Sequence, residues 1–331
     1  MKIDISEFEK TYTFELEPVT QMCGRNIPRK TYILESIKRY FSTYKYREEK
    51  NKWRDNVKVD GELVGRKYFS VVSVNGANGA ADIISMIKLT KQSLMTEYIK
   101  QLMNQFDWQQ HLHLIDIELE KMFALMNDEI NHLGDIELNY ETADVWDMVQ
   151  KADITGENRT PFEDKNVYDL LMILLNIIEQ NMKQTPRKMM IIFENLDHLI
   201  SKKEYIELMQ KTKYLSVNYD ICFLITTSLD GYILCEKELY TGIVVIGIED
   251  FQFPEENNLL KFIEDNYPYN KKFDEAKISA IIQNIVQRIG VNDYLIDTEE
   301  NVICKMINQT LLLKESCETG DNILENAFLK S

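Results

Sequence analysis

Glycine and proline are scarce in this chain, at 12 and 6 of 331 residues. A β-sandwich or barrel needs more turn residues than that, so the shortage favours a helix-rich or α/β fold. Cysteine is sparse too. Cys23, Cys222, Cys235, Cys304 and Cys317 form no C-x-x-C pair, and no Cys/His cluster has zinc spacing. Such a scattered, odd-numbered set fits reduced thiols and a cytoplasmic location. Long apolar runs are absent as well. Leu170–Ile178 is interrupted by Asn176 and is too short to span a bilayer. The opening MKIDISEFEKTYTFELEP is charged and has no apolar secretion-signal core, so no membrane partner is expected. Core-forming side chains, in contrast, are plentiful: 44% of residues are hydrophobic and 10% aromatic. That excludes disorder over most of the length, and 331 residues imply two or three domains.

Positive charge is in deficit overall, with a net of −16, yet it is concentrated. Between Arg25 and Lys67 there are 13 Lys/Arg against 6 Asp/Glu, a net of +7. Residues 1–24 carry −3 and residues 68–331 carry −20. Local potential, not total charge, decides where a polyanion docks.

The hydropathy pattern divides the chain. Alternation predicts a strand over 12–17, and 19–23 reads as a second strand ending at Gly24. A helical stripe runs from Arg29 to Lys45 through Ile33, Ile37, Tyr40, Phe41 and Tyr44. Asp60-Gly61 predicts a hairpin within Val57–Val64, and Lys67–Val74 is rich in β-branched residues. From Ala80 to Lys183 the periodicity is helical, with helices expected over 80–106, 112–133, 142–151 and 165–183. Continuous apolar strands return at Lys188–Phe193, Asp220–Thr227 and Gly242–Ile248, with a helix over 203–217. That alternation predicts a parallel sheet covered on both faces. After Phe253-Pro254 only helices are expected. The organisation is therefore an α/β head domain over 1–79 and 187–254, an inserted helical arm over 80–186, and a C-terminal helical extension over 255–331.

Two motifs carry the chemistry. The loop Gly24-Arg-Asn-Ile-Pro-Arg29-Lys30-Thr31 follows a strand and opens a helix, as the P-loop G-x-x-x-x-G-K-[ST] does. Gly24, Lys30 and Thr31 fit the pattern. Arg29 stands where the second glycine belongs and places a side chain against the phosphate position. Pro28 removes an N–H donor. The apolar strand ending at Glu194 places an acid where the magnesium-organising residue of a second P-loop motif would sit. In hydrolysing relatives of the SMC and ABC type a second acid follows; here it is Asn195, which cannot act as a general base. Both halves of an ATPase are damaged, in the right order and with a helical insertion between them. The fold expected is a degenerate P-loop NTPase-like head, and no catalysis is expected.

The degenerate loop, the helical insertion and the stretch K-M-M-I-I-F-E-N-L-D-H-L (188–199) together resemble the long form of the type II-A CRISPR adaptation protein, notably its streptococcal members. The likeness extends over essentially the whole chain. It implies a homotetrameric ring with a basic central hole. The hole threads linear double-stranded DNA from its ends, without sequence preference or ATP hydrolysis, during spacer acquisition in antiviral defence. The partners implied are the DNA, further copies of the chain, and the integrase complex and effector nuclease of the locus. Calcium is a possible stabilising ion by the same resemblance, although no loop has an EF-hand-like oxygen spacing. On this reading Lys45, Arg47, Lys50, Lys52, Arg54, Lys58, Arg66 and Lys67 contact phosphates, interleaved with Tyr44, Tyr46, Trp53 and Tyr68. No base-reading motif is present, so binding by shape and charge is expected.

Other polar groups carry less. His111 and His113 are two apart on a helix and do not face one another. Asp116, Glu118 and Glu120 read as a solvated face. Thr226, Thr227 and Ser228 read as a strand cap, and Asp197 with His198 as a weak metal pair. Two alternatives stay open: a P-loop ATPase that still binds or turns over nucleotide, and a scaffold that binds proteins only.

Overall fold

The computed structural model describes residues 1–7, 10–42, 56–134, 136–139, 145–247, 249–291, 297–312 and 322–331. They form two compact units, Met1–Gly79 with Pro186–Ser331, and Ala80–Thr185.

Ile3 and Ile5 alternate with Lys2, Asp4 and Ser6, so strand β1 (Lys2–Glu7) buries one face and wets the other. It pairs antiparallel with β2 (Lys10–Glu15), setting Ile3 opposite Phe14 and Ile5 opposite Tyr12. The fully buried β3 (Val19–Cys23) belongs to a different sheet. Helix α1 (Ile27–Tyr40) starts where Asn26 accepts a hydrogen bond from the Arg29 N–H, with Pro28 in the first turn. Strand β4 (Val57–Val59) completes the small sheet in the order β2-β1-β4. Asp60 and Gly61 both have positive φ, as the hairpin signal requires, but the returning strand is a single bridge from Val59 to Glu62.

The main sheet runs β5 (Ser70–Asn75), β6 (Met189–Glu194), β7 (Ile221–Thr226), β3, β8 (Ile243–Ile246) and β9 (Asp250–Gln252) in spatial order. All pairings are parallel except the last. β6, β7 and β8 are buried along their whole length, as the near-continuous apolar sequences of strands in a doubly covered sheet are. One face packs on α1 and the small sheet through Met22, Met190, Ile192 and Leu224. The other packs Cys23, Ile243 and Val245 against the later helices.

The second unit, with the chain entering it at α2, holds α2 (Gly79–Ile87), α3 (Leu94–Met103), α4 (Phe106–Ile130), α5 (Val145–Val149) and α6 (Val167–Gln184). The single helix expected over 80–106 is two, because Ser93 caps α3 by accepting from the Thr96 N–H. α4 begins at Phe106, a turn and a half before the expected 112. It buries none of its residues and leaves Phe106, Trp108, Leu114, Ile115, Met122, Leu125 and Met126 exposed. α6 instead buries Leu170, Leu171, Leu174, Leu175 and Ile178, and its Asn181 donates to the Leu94 carbonyl.

α7 (Lys202–Asn218) covers the first unit's sheet behind a capping box of Ser201 and Glu204. Then come α8 (Glu256–Asn266), α9 (Glu275–Ile285), α10 (Thr298–Thr310) and α11 (Ile323–Lys330). Residues 255–331 share one core with the sheet: Ile263, Ile282, Val302 and Ile307 cluster with Ile243 and Val245. β1, β9 and α11 were not foreseen. Among the described residues no helix is long and apolar enough to cross a membrane.

Candidate functional site

The P-loop-like turn lies between β3 and α1, at the carboxyl end of the sheet. Gly24 sits at φ +92°, and a Cβ there would collide with the Ile246 carbonyl oxygen. The backbone donors that would cradle a phosphate are already engaged. The Gly24 N–H donates to Gln287 Oε1 at 2.8 Å, and the Asn26 N–H points to the Ile246 carbonyl at 3.3 Å. The Lys30 N–H closes the first helical turn onto the Asn26 carbonyl. Gln287 is buried and also donates through Nε2 to Thr227 Oγ1, so the segment after α9 plugs the loop from below.

The side chains of the motif turn inward or away. Lys30 is 3% exposed; its Nζ donates to the Thr227 carbonyl at 2.8 Å and to Ser228 Oγ at 3.3 Å. Burial lowers its pKa, against the opposing pull of Cys23 and Asp197. Arg29 donates to the Gly247 carbonyl at 3.1 Å and to Asp250 Oδ1 at 2.9 Å, and its guanidinium stands 5.1 Å from the Tyr12 ring centroid. Thr31 is exposed.

Glu194 is buried at the end of β6, with one strand, β7, between it and β3. Its carboxylate accepts from Lys38 Nζ at 2.6 Å. Lys38 also pairs with Glu35. Burial opposes the Lys38 charge, but the Glu194 and Glu35 carboxylates outweigh it and raise the pKa. Asn195 adopts the left-handed conformation, and its N–H donates to both the carbonyl and Oγ1 of Thr226. Asp197 Oδ2 accepts from the Ser228 and Leu229 N–H groups at 2.6 and 2.7 Å, which makes it a loop clamp rather than half of a metal pair. His198 Nε2 is 4.0 Å from that oxygen.

A second site lies along the edge strand β5. A cleft of about 720 Å³ is lined by Lys38, Arg66, Lys67, Arg187 and Lys188, by Phe41, Tyr68 and Phe69, and by Ser42, Ser70 and Ser73. None of its described lining residues is acidic. Lys188 Nζ donates to the Tyr68 hydroxyl at 2.8 Å and stands 4.3 Å from that ring's centroid.

Of the eight cations expected to meet phosphates, Arg66 and Lys67 line this cleft, and Lys58 is exposed on β4. Lys45, Arg47, Lys50, Lys52 and Arg54 lie outside the described residues, with Tyr44, Tyr46 and Trp53. Arg187 and Lys188 were missed, though a basic pair directly before an apolar strand was there to be read. Lys38 was legible only as a cation about two turns beyond Lys30. Nothing in the sequence marks Gln287 or Asp250. His111 and His113 are exposed on α4, and Glu118 pairs with Lys121 one turn on. Among the described residues no group of three or more His, Cys, Asp or Glu side chains is placed to hold a metal.

These features define a mixed α/β protein with a self-filled loop after β3 and a separate cationic cleft. The chain belongs to the CRISPR-associated Csn2 family, subfamily St, whose profile matches residues 7–317. The family places it in CRISPR adaptation. The crystal structure of Stu0660 of Streptococcus thermophilus superposes with a TM-score of 0.85 at 19% identity, over 98% of this chain and 97% of that one. At that identity the likeness is one of fold. No curated protein matches the chain.

Proposed function

We propose that the chain binds linear double-stranded DNA without sequence preference, entering from its ends the basic hole of a homotetrameric ring, and that it does so for spacer acquisition without catalysis. The head is read as a P-loop-type domain that has lost its nucleotide chemistry, with residues 80–186 as its inserted arm and 255–331 as its helical extension. In support, the Gly24 loop joins β3 to α1, and Glu194 ends a strand one place removed from β3's neighbour β7. The observation that carries the DNA reading is the gathering of cations between Arg25 and Lys67 in a chain of net charge −16. Phosphates exchange their counterions for such groups, and four copies around a hole multiply the effect. Lys45, Arg47, Lys50, Lys52, Arg54, Lys58, Arg66 and Lys67 are the proposed contacts. The absence of turnover is supported by the engaged loop: Lys30, the Gly24 amide and Glu194 are each held by a protein partner.

The test is a gel-shift comparison of linear and closed-circular duplexes of one sequence at two salt concentrations. Binding of the linear form alone, weakening steeply with salt, is expected. Equal binding of both forms would overturn the ring, and binding of neither would favour a protein-only scaffold. A hydrodynamic mass near the 39.0 kDa of one chain would contradict the tetramer. ATP turnover in the presence of DNA would revive the enzyme.

A further inference from the structure

The cleft along β5 differs from a duplex-tracking surface in size and in shape. Its volume of about 720 Å³ lies in the range of small-ligand pockets, roughly 300–1,000 Å³, and a stretch of double helix does not enter a space of that size. Its cations come from separate places: Arg66 and Lys67 from the loop before β5 and Arg187 and Lys188 from the approach to β6, beside Lys38 of α1, which Glu194 and Glu35 already pair. They converge although nothing in their sequence spacing unites them.

We propose that this cleft takes a terminal phosphomonoester, either the 5′-phosphate of a DNA end or that of a free mononucleotide. The DNA-end source rests on the duplex-binding reading given above; the mononucleotide source does not.

The charge of the cleft selects the ligand. A phosphodiester inside a strand carries one negative charge, whereas a terminal monoester carries close to two near neutral pH and offers three acceptor oxygens. Among the described residues no carboxylate pairs with Lys67 or Lys188, so a dianion meets charge that protein groups have not neutralised. Lys188 is already positioned. Its Nζ is tethered to the Tyr68 hydroxyl and rests on the Tyr68 and Phe69 rings, at 4.3 and 5.2 Å from their centroids, which leaves less side-chain entropy to lose on binding. Ser70 lines the same cleft and supplies a hydroxyl donor, while the Ser73 hydroxyl faces the Glu194 carboxylate at 3.5 Å. The apolar walls, Phe41 and Phe69, hold the water-poor side on which charge-assisted hydrogen bonds are strongest. The cleft is also separate from the degenerate loop, because β5 stands three places from β3 in the sheet.

The test has two arms on the full-length protein. In the first, duplexes identical except for a 5′-phosphate or a 5′-hydroxyl are titrated against wild type and the double variant Lys67→Gln, Lys188→Gln. In the second, deoxyadenosine 5′-monophosphate and deoxyadenosine are titrated by calorimetry. A preference of about tenfold for the phosphorylated end is expected, falling below about twofold in the double variant. Because Lys188 also packs on Tyr68, the single variant Lys67→Gln, with a thermal melt unchanged from wild type, serves as the folded control and should lose about half of the preference on a logarithmic scale. If the duplex ends bind equally but the monophosphate binds wild type and not the variants, the ligand is a free nucleotide and the cleft assignment stands. Equal duplex binding together with no monophosphate binding overturns it. Loss of all duplex binding by wild type sinks the DNA reading alone, and the monophosphate arm then judges the cleft by itself.

Discussion

Two regions of the same unit hold cations of similar sequence character and opposite availability. In the Gly24–Thr31 loop, Lys30 is buried against the Thr227 carbonyl and Arg29 is tied to Asp250 and Gly247. In the cleft along β5, Lys67 and Lys188 stand with no acidic residue among the described lining. The loop looks like a phosphate site in sequence but its donors are satisfied from within, while the cleft has no motif but keeps its charge for a ligand. A polar group acts on a ligand only when the fold has left it without an equal internal partner.

Five substitutions test this difference. The largest effect is expected for Lys38→Met, which strands the buried Glu194 carboxylate and should cost about 3 kcal/mol at neutral pH by urea unfolding. Lys38 has a raised folded pKa, so its contribution is fully present below its unfolded value of about 10.4 and is lost as pH rises through the folded value. The gap between wild type and variant should therefore narrow above about pH 10.5. A constant gap across that range would mean that the pair is not what holds Glu194.

Gly24→Ala should follow, at about 2 kcal/mol or more, since it puts a Cβ into the Ile246 carbonyl at a positive φ. The loss should appear in a thermal melt without nucleotide, because here the glycine serves the packing of the turn on β8. Next, Gln287→Leu leaves the Gly24 N–H and Thr227 Oγ1 without their partner and should cost about 1–2 kcal/mol. If the variant gained measurable ATP binding, the plug and not the loop sequence would be what excludes nucleotide. The smallest effect separates the two regions directly. Arg66→Gln should weaken linear-duplex binding about threefold and reduce the logarithmic salt slope by about 1, whereas Lys30→Met should leave both unchanged. A reversed outcome would return the phosphate-binding role to the loop.

Much of the fold was legible because its determinants are local. The apolar runs at 189–193 and 221–225 are short, rich in isoleucine and phenylalanine and bounded by polar residues, which fits strands buried on both faces. The Asp60-Gly61 turn followed from the two residues that tolerate positive φ. β1 was equally periodic, Ile3 and Ile5 alternating with polar neighbours, and was overlooked among the charges of the first ten residues. The split between α2 and α3 was missed because Ser93 acts as a cap only once the chain around it has turned. At the candidate site, the departures of Pro28, Arg29 and Asn195 from the P-loop pattern are visible in the sequence. The partners that occupy it were not, since Gln287 lies more than 250 residues beyond Gly24 and Asp250 more than 200 beyond Arg29.

The class of strand and helix, the place of the Gly24 loop at a strand end and the concentration of positive charge between Arg25 and Lys67 are legible in the chain alone. These depend on neighbours along the chain, through backbone preference and periodic burial. Which cations are available was set by the folded arrangement. It buried Lys30, paired Lys38 with Glu194 across 156 positions, and brought Arg187 and Lys188 to Arg66 and Lys67. The reason is that the state of a charge depends on what stands within a few ångströms of it in space, and that neighbourhood exists only after the strands have paired.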